Sequence, residues 1–208
     1  MLTDPKYPGC FLLQAEDLRN GGNEVDGVSG KALAQIRDWV MRFLCRPHAQ
    51  LGREGAVCPF TAPSMRKKLF WMTAYRGERI PLAEAQEVLM RYRDWFLELE
   101  PKAQPDANLK TILILFPDMT TEQAPDVVDR LQHELKPDFV ERGLMIGQFH
   151  PECPEGGLWN PDFRPLQSPV PLLAIRNMVA SDKAFLRHDK NLMDRYSRRF
   201  PALAGAAA

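Results

Sequence analysis

Long apolar runs are missing from this chain. The longest, Thr111-Ile-Leu-Ile-Leu-Phe116, falls far short of the roughly 20 residues a helix needs to cross a bilayer, so no membrane partner is expected. Net charge is missing too: Lys+Arg and Asp+Glu both number 27. That excludes a broad basic surface of the kind nucleic-acid binders rely on. Cysteine is scarce, with four in 208 residues, too few for a disulfide scaffold. Residues Met1 to Pro8 show no charged-then-apolar secretory pattern. The expected compartment is therefore the cytoplasm, with the cysteines as reduced thiols or ligands. There is no Gly-rich phosphate loop, no Gly-x-Ser-x-Gly elbow and no His-Glu-x-x-His helix, so the commonest enzyme signatures are absent.

What is present suits one globular domain, with 45% hydrophobic residues and a length that calls for no second core. Residues 1–28 are rich in Gly, Pro and Asn and read as an irregular arm. From Ser29, read as N-cap, apolar residues Leu33, Ile36, Trp39, Val40, Phe43 and Leu44 recur at helical spacing until Pro47. A long loop, 46–63, follows, and a loop of that length inside a compact domain suggests function. Strands are expected at Leu69–Tyr75, Lys110–Phe116, Leu144–Phe149 and Val170–Met178, and helices at Leu82–Leu99, from Thr120/Thr121 towards Leu135, and from Ser181/Asp182 to about Phe200. Lys110–Phe116 and Leu144–Phe149 are apolar on successive positions and are expected as inner strands. The order predicts an α+β fold, a ferredoxin-like sandwich with a four-stranded, mainly antiparallel sheet and helices on one face. Residues 29–200 form the single domain and 201–208 a frayed tail.

The chemistry concentrates at Gly147-Gln-Phe-His-Pro-Glu-Cys-Pro-Glu-Gly-Gly157. An apolar strand ends there in a Pro/Gly-rich loop, which places His150 and Cys153 at the mouth of a sheet. Cys45-x2-His48 mirrors His150-x2-Cys153, and together the four supply the donor set of a structural zinc site. Cys45, on the apolar flank of its helix, equally suits a small hydrophobe. Cys58 reads either as a buried loop thiol or as a pocket wall. Arg53, Arg66, Lys67 and Lys68 surround it, suited to anionic ligand groups or to solvent. Arg176 interrupts an apolar strand and therefore needs either a ligand or an internal salt bridge. Asn160, Asp162 and Arg164 are candidates for the same pocket, whereas His133 and His188 sit among charges and should face solvent.

At Gly147-Gln-Phe-His-Pro151 the chain resembles the YqcI/YcgG-type proteins, whose Gly-x-His-Pro motif follows a strand. Pro171-Leu-Leu-Ala-Ile-Arg176 and Val57-Cys-Pro-Phe-Thr-Ala62 are similar to further segments of that family. The likeness spans about the last two-thirds of the chain and is closer still to an uncharacterised bacterial sister group. It implies a haem b-dependent oxygenase or N-hydroxylase, a monooxygenase-like oxidoreductase of specialised metabolism acting on a small polar metabolite. It makes His150 the ligand of the haem iron. Arg53, Arg66 and Arg176 become partners of propionates or of a substrate carboxylate, and Cys58 a pocket wall or axial thiolate. This sequence departs from the family pattern at Glu152-Cys-Pro-Glu-Gly-Gly157, where an Arg-rich stretch is expected, and at Arg176. The competing readings are a non-catalytic zinc- or ligand-binding domain and a haem carrier or sensor. A homodimer is compatible with any of them.

Overall fold

A computed structural model describes residues 1–20 and 26–201; the expected tail beyond 201 and part of the expected arm lie outside the described residues. The strands are β1 (Leu2–Thr3), β2 (Phe11–Gln14), β3 (Phe70–Ala74), β4 (Thr111–Leu115), β5 (Leu144–Phe149) and β6 (Leu172–Asn177). The helices are α1 (Gly27–Trp39), α2 (Thr61–Arg66), α3 (Leu82–Glu98), α4 (Arg130–Glu141), α5 (Lys183–Leu186) and α6 (Lys190–Arg199). The strands form one six-stranded sheet in the order β1-β2-β3-β4-β6-β5. β3 and β4 are parallel, joined by α3, while β6 runs antiparallel to both β4 and β5. Hence β3, β4 and β5 all point the same way and end at the same edge.

The α+β class expected from the sequence holds, but the ferredoxin-like layout does not. The sheet has six strands and contains a parallel pair, and helices cover both faces. The alternation along β4 shows why. Ile112 and Ile114 enter one core with Leu89 and Phe96 of α3 and Leu131 and Phe139 of α4. Leu113 and Leu115 enter a second core with Leu33, Ile36 and Val40 of α1. A strand apolar at every position is one that needs cover on both sides. Within the expected arm, Leu2–Thr3 and Phe11–Gln14 are not irregular, because β1 and β2 extend the sheet from β3. Strands of two and four residues are too short to leave a clear period-2 signal.

β5 proves to be an edge strand, not an inner one. Its apolar run answers to two different covers: Leu144 and Ile146 face the α3/α4 core, and Met145 joins Val140, Met178, Leu186, Leu192 and Tyr196 in a third cluster. The amide of Gln132 on α4 donates to Ile146 O at 3.2 Å, so one edge carbonyl is already engaged. Helix α1 starts one turn earlier than expected. Asp26 is its N-cap, accepting from the amides of Val28 and Ser29 at 3.0 and 3.1 Å, and Ser29 is the first-turn partner of that carboxylate. The expected last helix is two helices, broken before Asp189, which caps α6 by accepting from Leu192 N.

Lys110 shows what the covered sheet costs at its start. Its ammonium, on a residue only 3% exposed, donates to the carbonyls of Phe96 and Leu99 at 3.0 and 2.7 Å and lies 4.7 Å from the Phe96 ring centre. It thereby closes the carboxyl end of α3, where carbonyls lack helical partners. Burial lowers its pKa to about 8. The unfolded chain, with an ordinary lysine, then holds more protons than the folded one between pH 8 and about 10.4, so stability rises with pH across that window. Lys110 alone contributes about 2–3 kcal/mol to that rise. Burial also raises the thiols of Cys10, Cys45 and Cys153 and takes Tyr75 to about 12; these oppose the gain, the thiols from about pH 8.5 and Tyr75 from about pH 10. Urea unfolding followed from pH 7.5 to 10 should show the wild type gaining more stability, or losing less, than Lys110→Met as the pH rises.

Candidate metal centre

The common edge at which β3, β4 and β5 end is where open α/β sheets bind ligands, because loops there diverge from a rigid frame. His150 follows the last residue of β5 and is wholly buried. Its Nε2 lies 3.1 and 3.2 Å from the two carboxylate oxygens of Asp129. Its Nδ1 is buried and has no hydrogen-bond partner. Asp129 closes a π-helical turn, Pro125–Asp129, that leads into α4. Such a turn inserts one residue into the helical ladder and is common at functional sites. Here it keeps Val128 and Leu131 in the core while Asp129 faces the end of β5. The Asp129 side chain is 28% exposed, so this member meets solvent.

Cys153 completes the group. Its amide and that of Ser168 both donate to His150 O, at 3.1 and 3.3 Å, and this folds the loop back over the strand end. One ligand atom each from Asp129, His150 and Cys153 lie within 4.8 Å of one another. Cys153 is wholly buried. Burial pushes its thiol up to about 11, and the charge of Asp129 adds to the rise. At neutral pH such a group is thiolate about once in 10⁴ molecules, which disfavours a free cysteine nucleophile. Coordination reverses that preference, since a metal takes the thiolate and expels the proton.

The loop beyond is held by its own backbone and by the 46–60 segment. Gly157 N donates to Phe163 O at 2.8 Å, and Asn160 Nδ2 donates to Gln50 O at 2.9 Å. A Cβ at Gly156 would lie 2.7 Å from Pro161 O, and one at Gly157 2.9 Å from Asn160 O, so both positions require glycine. Phe163 stacks on His48 at 4.6 Å, whereas Leu158 and Trp159 are exposed and form no wall around His150.

Of the residues singled out in the sequence, the structure brings His150 and Cys153 together, with Arg164 near enough to act against the rise of the Cys153 thiol. His48 caps a short helical turn, its Nδ1 accepting from Gln50 N at 3.2 Å. Cys45 and Cys58 are half-buried and pack against the α1-side core. Arg53 donates to Glu54 O and Val57 O of its own loop at 2.8 and 3.1 Å. Arg66 is exposed at the end of α2. Arg176 forms an internal ion pair, with its Nη1 and Nη2 2.8 and 2.5 Å from Asp182. Arg176 pairs in register with Met145, whereas Leu172 lies opposite Phe149, so it sits at the far end of the sheet from His150. His133 and His188 are exposed, as expected. Asp129 was not singled out, because nothing local marks it: the carboxylate comes from 21 residues upstream and meets His150 only through the fold.

Residues 33–207 match a family described as a domain of unknown function (DUF6875). No curated protein and no solved structure matches the chain.

Proposed function

The chain belongs to the DUF6875 family, and we propose that it binds one divalent ion, zinc in the first instance, through Asp129, His150 and Cys153. The observation that carries this reading is the cluster itself: a carboxylate, an imidazole and a thiol within 4.8 Å, with His150 Nε2 turned towards the Asp129 carboxylate. Oxygen, nitrogen and sulfur donors together suit borderline-soft zinc. The Asp129–His150 separation of 3.1–3.2 Å is close to the roughly 3.3 Å expected between two ligand atoms at tetrahedral angles with bonds near 2.0 Å. One carboxylate and one thiolate cancel a double positive charge, which makes the site neutral in its buried setting.

Three protein ligands leave a fourth position, the pattern of catalytic rather than structural zinc sites. Asp129, as the partly exposed member, is the side from which water or a small polar metabolite reaches that position. A bound ion would supply Lewis acidity there. The surroundings of His150 favour a small ion over haem. A carboxylate 3.1 Å from Nε2 leaves space for an ion shared with it but not for a macrocycle on that nitrogen, and Arg176, a candidate propionate partner, lies at the opposite sheet end.

Equilibrium dialysis of the metal-free chain against zinc tests the proposal, with one ion per chain as the expected result. Because Cys153 must lose a proton whose pKa is about 11, affinity should rise about tenfold per pH unit between pH 6 and 8. Absence of saturable binding, or binding with no pH dependence, would remove Cys153 from the site.

A further inference from the structure

We infer that Cys45 and Cys58 are a thiol pair placed to close a disulfide by exchange with a low-molecular-weight disulfide. The backbone carries the first part of the argument. Pro47 and Ala56 form an antiparallel bridge, and Val57 N donates to Arg46 O at 2.9 Å. Beyond this bridge the pairing shifts by one residue, because Cys45 ends a helical turn, Val40–Leu44. Cys58 N donates to Leu44 O at 2.9 Å, which keeps the two segments together at that point. With Cys58 N bonded to the carbonyl that precedes Cys45, the two Cα atoms are held within about 7 Å of each other, which allows the span of a disulfide.

Packing supplies the second part. Both cysteines are half-buried and both pack against the same α1-side core, so their side chains leave the two segments on the same side. Their mutual influence is consistent with this: burial first, and then the neighbouring Cys58, raise the Cys45 thiol, while Arg46 and Arg66 act the other way. The remaining cysteines differ. Cys10 and Cys153 are 8% and 0% exposed and lie in other parts of the fold.

In the reaction, one protein thiolate attacks a sulfur of the small disulfide and expels one small thiolate, which leaves a mixed disulfide. The second protein thiolate attacks the protein-side sulfur and expels the other small thiolate. Two protein thiols thus lose two protons and two electrons, and the small disulfide is reduced to two thiols. The closed bridge would pin the 46–58 loop, whose His48 and Gln50 hold Phe163 and Asn160 of the loop beyond Cys153. The pair is therefore placed to couple redox state to the loop over the sheet end.

The test is to incubate the reduced full chain with oxidised glutathione, alkylate it in denaturant and map the peptides by mass. The expected result is a peptide in which Cys45 is joined to Cys58, with Cys10 and Cys153 alkylated. Cys45→Ser should instead retain a stable glutathione adduct on Cys58, for want of the resolving thiol. Wild-type chain that keeps a stable adduct at either position, or that recovers both thiols fully alkylated, would overturn the pairing.

Discussion

Replacing Arg176 by leucine is expected to lower the unfolding free energy by about 3–5 kcal/mol. Asp182 is 1% exposed and depends on this guanidinium. Two nearly parallel contacts, at 2.8 and 2.5 Å, make the pair bidentate, the geometry that arginine supplies and lysine does not. Without Arg176 the carboxylate keeps the amide of Val179, at 2.8 Å, but remains a buried charge that has lost its bidentate cation. The double variant Arg176→Leu/Asp182→Leu should recover part of the loss, because it removes both charges. Urea unfolding of the three variants measures this. A loss under 1 kcal/mol accompanied by weakened ligand binding would return Arg176 to the role of ligand contact.

His150→Ala and Cys153→Ser should each weaken zinc binding by about 100-fold or more. Structural zinc sites yield roughly 10–16 kcal/mol over about four ligands, or about 3 kcal/mol per ligand, and each 1.4 kcal/mol is tenfold. Neither substitution should unfold the chain, since the site lies at a sheet edge and the apolar cores do not pass through it. His48→Ala and Cys45→Ala are the decisive controls. The geometry at Asp129 predicts full affinity in both. A loss in these two as large as in His150→Ala would instead favour the four-residue set Cys45, His48, His150 and Cys153. Competition with a chelator of known affinity gives the four values on one scale.

Much of the sheet was legible because burial on both faces writes a continuous apolar run, as in Thr111–Leu115 and Phe70–Ala74. Strand direction was not legible, since a run such as Ile112-Leu-Ile-Leu115 is the same string whether its neighbour is parallel or antiparallel. β1 and β2 escaped notice because they are too short to repeat. The edge position of β5 was hidden by the third cluster, in which helices distant in sequence cover Met145. At the site, Phe149-His150-Pro151 announced a strand ending in a functional loop, and Cys153 followed by proximity. Asp129 could not be read, because its meeting with His150 depends on α4 crossing back beside β5 and on the π-helical turn that aims it. Arg176 was legible as a residue in need of a partner; that Asp182 is the partner required the turn after β6 to be built.

Cobalt(II) added to the metal-free chain tests the Asp129–His150–Cys153 assignment most directly. The expected spectrum has an intense near-ultraviolet band from sulfur-to-cobalt charge transfer and the visible absorption of a four-coordinate ion. It should saturate at one equivalent and disappear in Cys153→Ser. A wild-type spectrum without the sulfur band would contradict the assignment. So would uptake of haem with an absorption spectrum that His150→Ala changes, which would give His150 to haem iron instead.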